Sequence, residues 1–262
     1  MAMTLKTVGP GRGAQWVSDG LRLYMKRPMA FTGLFALFLV AALFVAIVPV
    51  IGGVLQVMAI PLLSLGFMVA SQSALMEGPV KPSQFIEPLR AAPRQRRDLL
   101  ILCGLYALLV LLSMWLADLV ADGGFGRLME LMRKPNPPAA EVEALLADRG
   151  LAAGALLGTA LITLITVPFW HAPALVHWAH QGPAQALFSS TLAVWRTRGA
   201  FLVYALTWFV LMVAFGVVTA LLFRVLGLGA LAPLLAMPAG LFFSTLFYMT
   251  LIFTFNDSFG MQ

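Results

Sequence analysis

Six long apolar stretches dominate this chain, at about residues 29–48, 54–75, 99–120, 151–180, 200–223 and 230–255. About twenty such residues in a helix match the hydrocarbon thickness of a bilayer. Inside that layer every peptide N–H and C=O must be satisfied within the protein, so each stretch has to be a helix. Apolar residues make up 61% of the chain and charged ones only 11%, where a soluble domain would carry about 25% charged. The expected fold class is therefore all-α: a polytopic membrane helical bundle of six transmembrane helices. The first stretch follows a polar lead and exceeds a typical signal-peptide core, so it reads as a retained span.

Short lead-ins precede the first, third and fifth spans and no others. Around residues 16–28, Trp16, Val17, Gly20, Leu21 and Tyr24 share one helical face, and Gln15, Ser18, Asp19, Arg22 and Lys26 the other. This spacing predicts an amphipathic helix lying at the membrane surface. It ends in Lys26-Arg27-Pro28, with proline suited to the first turn of the next helix. A second lead-in over residues 85–97 carries Phe85, Ile86 and Leu89 with Arg90, Arg94, Arg96 and Arg97. A third over residues 188–198 carries Leu187, Phe188, Leu192 and Trp195 with Arg196 and Arg198.

The uncharged turn at residues 49–53 is too short for anything but an antiparallel hairpin, and a turn around Gly227 and Gly229 joins spans 5 and 6. The whole chain, residues 1–262, reads as a single membrane domain of three hairpins. Each is led by an interfacial amphipathic helix, giving repeat units at about 14–78, 83–182 and 184–257. Proline falls within span 2 (Pro61), span 4 (Pro168, Pro173) and span 6 (Pro238), and span 4 is expected to be long and bent. Residues 122–150 form a polar insert broken by Pro135-Asn136-Pro137-Pro138, with a short acidic helix after it. Of the 17 Lys and Arg residues, twelve lie on the N-terminal tail and on the loops after spans 2 and 4. The positive-inside rule then sets both termini of this multi-pass protein in the cytoplasm and the insert in the periplasm or exterior.

The candidate sites are few. The basic corners, with Trp16, Lys26, Arg27, Arg94, Arg96, Arg97, Trp195, Arg196 and Arg198, are expected to meet anionic lipid headgroups. Asp118, His177, His180 and Arg224 are the candidates for a polar intramembrane site, with an Asp118–Arg224 salt bridge as one arrangement. Each has a blander reading: His177 and His180, near Trp170 and Trp178, as interfacial anchors, and Asp118 as a capping or snorkelling side chain. Gly154 and Gly158 with Thr159, Thr163 and Thr166 suit close helix packing, with a polar pathway as the sharper alternative. Cys103 is the only cysteine, so no intrachain disulfide or cysteine metal site can form. No nucleophile–base pair, carboxylate dyad or phosphate-binding loop occurs at a recognisable spacing. No catalytic residue, cofactor or metal is expected, nor is nucleic-acid binding, since no basic run is interleaved with aromatics outside the spans.

Trp16-x3-Gly20 and Arg27-Pro28 before span 1, the basic loop before span 3 and the ending Asp257-x-Phe259-Gly260 resemble a family of uncharacterised six-span inner-membrane proteins from beta-proteobacteria. The layout is also similar to the membrane domain attached to some glycerophosphodiesterases. The resemblance implies location and topology and brings no activity or catalytic residues. On the residues themselves, the favoured reading is a non-enzymatic accessory, scaffold or assembly protein that binds membrane partners, a second copy of itself or lipid headgroups. The alternative is handling of a lipid or small hydrophobic molecule within the bundle.

Overall fold

A computed structural model describes residues 5–49, 51–227 and 234–260. The described residues hold helices α1 (Arg12–Lys26), α2 (Pro28–Ala46), α3 (Ile51–Leu75), α4 (Pro93–Val120), α5 (Gly124–Met132) and α6 (Ala139–Leu146). They continue with α7 (Arg149–Phe169), α8 (Ala172–Ala179), α9 (Pro183–Arg196), α10 (Arg198–Val225) and α11 (Ala236–Phe259). Six segments are long and apolar enough to cross a membrane: α2, α3, α4, α7 with α8, α10 and α11. The expected turn at Gly229 and the start of span 6 at Ala230 fall outside the described residues, as does Val50 in the first turn.

Proline chemistry sets several boundaries. Span 4 bends as expected: Pro168 lies inside α7, and helix geometry lapses at Trp170–His171 before α8 restarts with Pro173 in its first turn. Pro238, expected inside span 6, lies in the first turn of α11, where there is no intrahelical N–H bond to lose. The second lead-in is not an amphipathic helix. It forms two short 3-10 turns, Pro82–Phe85 and Glu87–Arg90, and Arg94, Arg96 and Arg97 already belong to α4. Pro82, Pro88 and Pro93 each remove a donor, and the residues before Pro82 and Pro93, Lys81 and Ala92, are held at extended ψ.

Helix α11 is the hub. It packs against α1, α2 and α3, and the cores on its two sides meet at Tyr248 and Phe253. Helices α4 and α7 pack closely: Cβ atoms at Gly154 or Gly158 would press on Ala117 of α4. This is the close-packing outcome for the GxxxG, where small residues let two backbones approach. Cys103 is buried in α4.

Each lead-in packs on the hairpin that precedes it around the bundle. Helix α1 lies against α10 and α11, the 3-10 turns against α3, and α9 against α7 and α8. Small residues make room: Gly13 abuts the backbone of Ala200, Gly66 of α3 receives the Phe85 ring, and α9 turns Ala186, Ser190 and Ala193 inward. Three contacts gather helix ends on one side of the bundle: Lys6 N–H to Ser258 O at 2.9 Å, Arg27 to Gly78 O, and Gln95 Nε2 to Val176 O at 3.2 Å.

Candidate functional site

Helix α10 stands apart. Beyond Tyr204 no residue of α10 is buried, and its backbone rarely approaches those of α7 and α11. Its attachment is through α1, where Gly13 lets the two backbones meet at Ala200 and Tyr204. Helix α1 is in turn fixed to α11: Asp257 Oδ2 accepts from Trp16 Nε1 at 2.7 Å and from Arg12 Nε at 2.6 Å. The hydrogen bond and the carboxylate charge raise the pKa of Arg12 further, so this cation persists.

The separation leaves a cleft of about 680 Å³ between α7, α10 and α11, reaching Val194 of α9 at one end. Half of its lining residues are aromatic: Trp170, Phe201, Tyr204, Trp208, Phe243, Phe247 and Tyr248. These rings meet edge to face. Trp170 stands at 90° to Phe201 with centroids 5.4 Å apart, and Trp208 bridges to Phe243 at 6.4 Å and Phe247 at 5.9 Å. Such pairs give a stiff apolar surface. A second hollow of about 300 Å³ shares Thr166, Trp170, Phe247 and Tyr248 as a wall and reaches Pro61, Ser64 and Tyr106.

The polar groups behind the walls are largely satisfied internally. Thr250 gives its proton to Phe247 O, so Tyr204 is the donor in its 2.6 Å bond to Thr250. Thr254 likewise donates to Leu251 O and accepts from Trp170 Nε1 at 3.2 Å. His171 Nε2 lies 3.1 Å from the same hydroxyl and must therefore carry the ring proton. That leaves Nδ1 unpartnered among Phe201, Phe255 and Phe259. Thr163 and Thr166 turn their hydroxyls back to Thr159 O and Ile162 O. Trp208 Nε1 in the cleft wall has no partner, and the rest of the lining offers mainly apolar surface, which suits hydrocarbon.

The residues expected at lipid headgroups divide. Trp16 is fully buried, wedged between Phe201 at 5.2 Å and Tyr204 at 5.9 Å, and does not lie at a lipid surface. The face of α1 expected to meet lipid instead packs on α10 and α11. Arg27 is engaged too, donating to Gly78 O and, at 3.3 Å, to Glu77 O. Arg94 and Arg97 flank the buried Asp98 carboxylate at 4.0 and 3.6 Å. Lys26, Arg96, Trp195, Arg196 and Arg198 are exposed, and Arg198 sits over the Trp195 ring at 5.3 Å.

Asp118, His177, His180 and Arg224 are not brought together. Gln95, at the start of α4, bonds the carbonyls of Val176 and His177. Asp118 lies 23 residues further along the same helix, about 34 Å at helical rise. Its Oδ1 has no partner, and no ion pair joins it to the exposed Arg224 among the described residues. Among the described residues no group of three His, Cys, Asp or Glu is placed to hold a metal.

The aromatic cleft escaped the sequence reading, although a signal was present. Phe201, Tyr204 and Trp208 recur three and four residues apart on α10, and Phe243 and Phe247 four apart on α11. In a membrane span such a stripe reads equally as packing or lipid contact.

No family profile and no solved structure matches the chain. It is 33% identical over 266 residues to the probable inner membrane protein BTH_II0599 of Burkholderia thailandensis, covering 99% of this chain and 95% of the relative. With six apolar spans and this end-to-end similarity, the chain is an integral membrane protein that belongs to the same family as that probable inner membrane protein.

Proposed function

We propose that the protein is a non-enzymatic inner-membrane protein that holds the hydrocarbon of a membrane lipid in the cleft between α7, α10 and α11. The observation that carries this reading is the stand-off of α10, which leaves about 680 Å³ of aromatic-walled space beside the bilayer. That volume falls within the roughly 300–1,000 Å³ of ordinary ligand sites, and the hydroxyls of Thr163, Thr166 and Tyr204 in its wall are already bonded. Native mass spectrometry of gently purified protein tests it. One retained lipid per chain is expected, lost in Ala205→Trp, which fills the cleft. Unchanged lipid retention in that variant, with the fold intact by circular dichroism, contradicts it.

A second reading, docking of a membrane partner in an accessory role, is favoured by the insert. Helix α6 buries no residue, and with α5 it frames a groove of about 540 Å³ lined by Arg127, Glu130, Lys134, Glu141 and Asp148. A charged groove outside the bundle core suits a polar protein surface. Replacing residues 125–147 with a Gly/Ser linker should release any co-purifying partner and leave lipid retention unchanged.

Two topological readings go with this function. Both termini face the cytoplasm, supported by twelve of the 17 basic residues lying on that side. The three hairpins descend from one repeated unit, supported by the order in which each lead-in packs on the preceding hairpin. Reporter fusions at the C-terminus and within the insert test the first.

A further inference from the structure

We infer that the cleft selects an anionic phospholipid, with its phosphate at the α9–α10 corner against Arg196 and Arg198. This rests on the cleft holding lipid hydrocarbon, as proposed above.

The corner and the cleft are continuous in the chain. Val194, in the last turn of α9, and Phe201, in the first turn of α10, both line the cleft, and Trp195, Arg196 and Arg198 lie between them. Both arginines are exposed, and among the described residues neither has a carboxylate within ion-pair distance. Arg12 is closed on Asp257 and Arg27 on the carbonyls after α3, while the exposed Lys26, Arg94, Arg96 and Arg97 do not lie between two cleft-lining residues in the chain. Arg198 is steadied over the exposed Trp195 ring at 5.3 Å, an arrangement that orients a guanidinium at the level where indoles sit in a bilayer. Thr197 between them is buried and bonded to Ala193 O, so the corner presents cationic side chains and an aromatic plate. A chain lying along Phe201, Tyr204 and Trp208 would bring its headgroup to this end. A guanidinium fork matches a phosphodiester in geometry as well as charge.

Native mass spectrometry of the full-length protein, titrated in detergent with phosphatidylglycerol or phosphatidylcholine, tests the inference. Wild type should retain one lipid, with phosphatidylglycerol held roughly tenfold more tightly. In Arg196→Gln/Arg198→Gln the two lipids should bind alike, still one per chain. Arg94→Gln/Arg96→Gln/Arg97→Gln should keep the preference. Equal affinities in wild type overturn the headgroup assignment and leave the cleft in place. A preference that survives in the Arg196/Arg198 variant, or vanishes in the α4 variant, overturns the assignment to this corner. Retention of neither lipid overturns the cleft reading and this inference with it.

Discussion

Trp16 Nε1 donates to Asp257 Oδ2 across 2.7 Å, joining side chains 241 positions apart. The bond closes the first lead-in helix onto the last span, and Arg12 reinforces it from the same carboxylate oxygen. Since α10 is attached mainly to α1, this pair also holds one wall of the cleft.

Asp257→Ala should therefore destabilise the protein by about 1.5–3 kcal/mol, the range for hydrogen bonds to a charged group. Two donors lose their acceptor at once. Trp16→Phe, which keeps an aromatic ring against Phe201 and Tyr204, should cost less than Asp257→Ala. Thermal unfolding in detergent measures both.

Gly13→Leu should detach α10, because any Cβ there strikes the carbonyl of Ala200. Overpacking of this kind costs about 1–3 kcal/mol. Gly182→Ala, where a Cβ meets nothing within 4 Å, is the control and should be near neutral by the same measurement.

Arg27→Ala should cost about 1–2 kcal/mol, since its guanidinium serves the carbonyls of Glu77 and Gly78 at the end of α3. Arg27→Lys should recover only part of this, because an ammonium lacks the planar fork that reaches two acceptors. Glu77 itself holds φ at 61°, where a side chain is strained. Glu77→Gly should raise the melting temperature in the same assay.

Asp118→Asn and His177→Ala should act independently, with effects on stability additive within about 0.5 kcal/mol, as for sites far apart. A double-mutant cycle showing stronger coupling would mean that the two belong to one site after all.

Much of the architecture was legible because the bilayer permits few solutions. Apolar length fixed six spans to within a few residues at most ends, and Pro168 and Pro173 announced the bend of span 4. The lead-ins were legible as sequence but not as packing. The face carrying Trp16 and Val17 is apolar whether it meets lipid or another helix, and pattern alone does not distinguish the two. Arg27 read as a headgroup cation because its partners are carbonyls, which leave no mark in a sequence. The second lead-in failed as a helix for a visible reason, three prolines within twelve residues. The cleft was hidden because it depends on α10 standing off from its neighbours. That stand-off comes from α1 lying between α10 and α11, a long-range contact that local periodicity does not encode.

A cryo-EM map of the protein in lipid nanodiscs tests lipid binding in the cleft most directly. The expected result is an elongated density between α7, α10 and α11, lying along Phe201, Tyr204 and Trp208 against Phe247. A map with α10 packed directly onto α7 and α11, and no space between them, would contradict it.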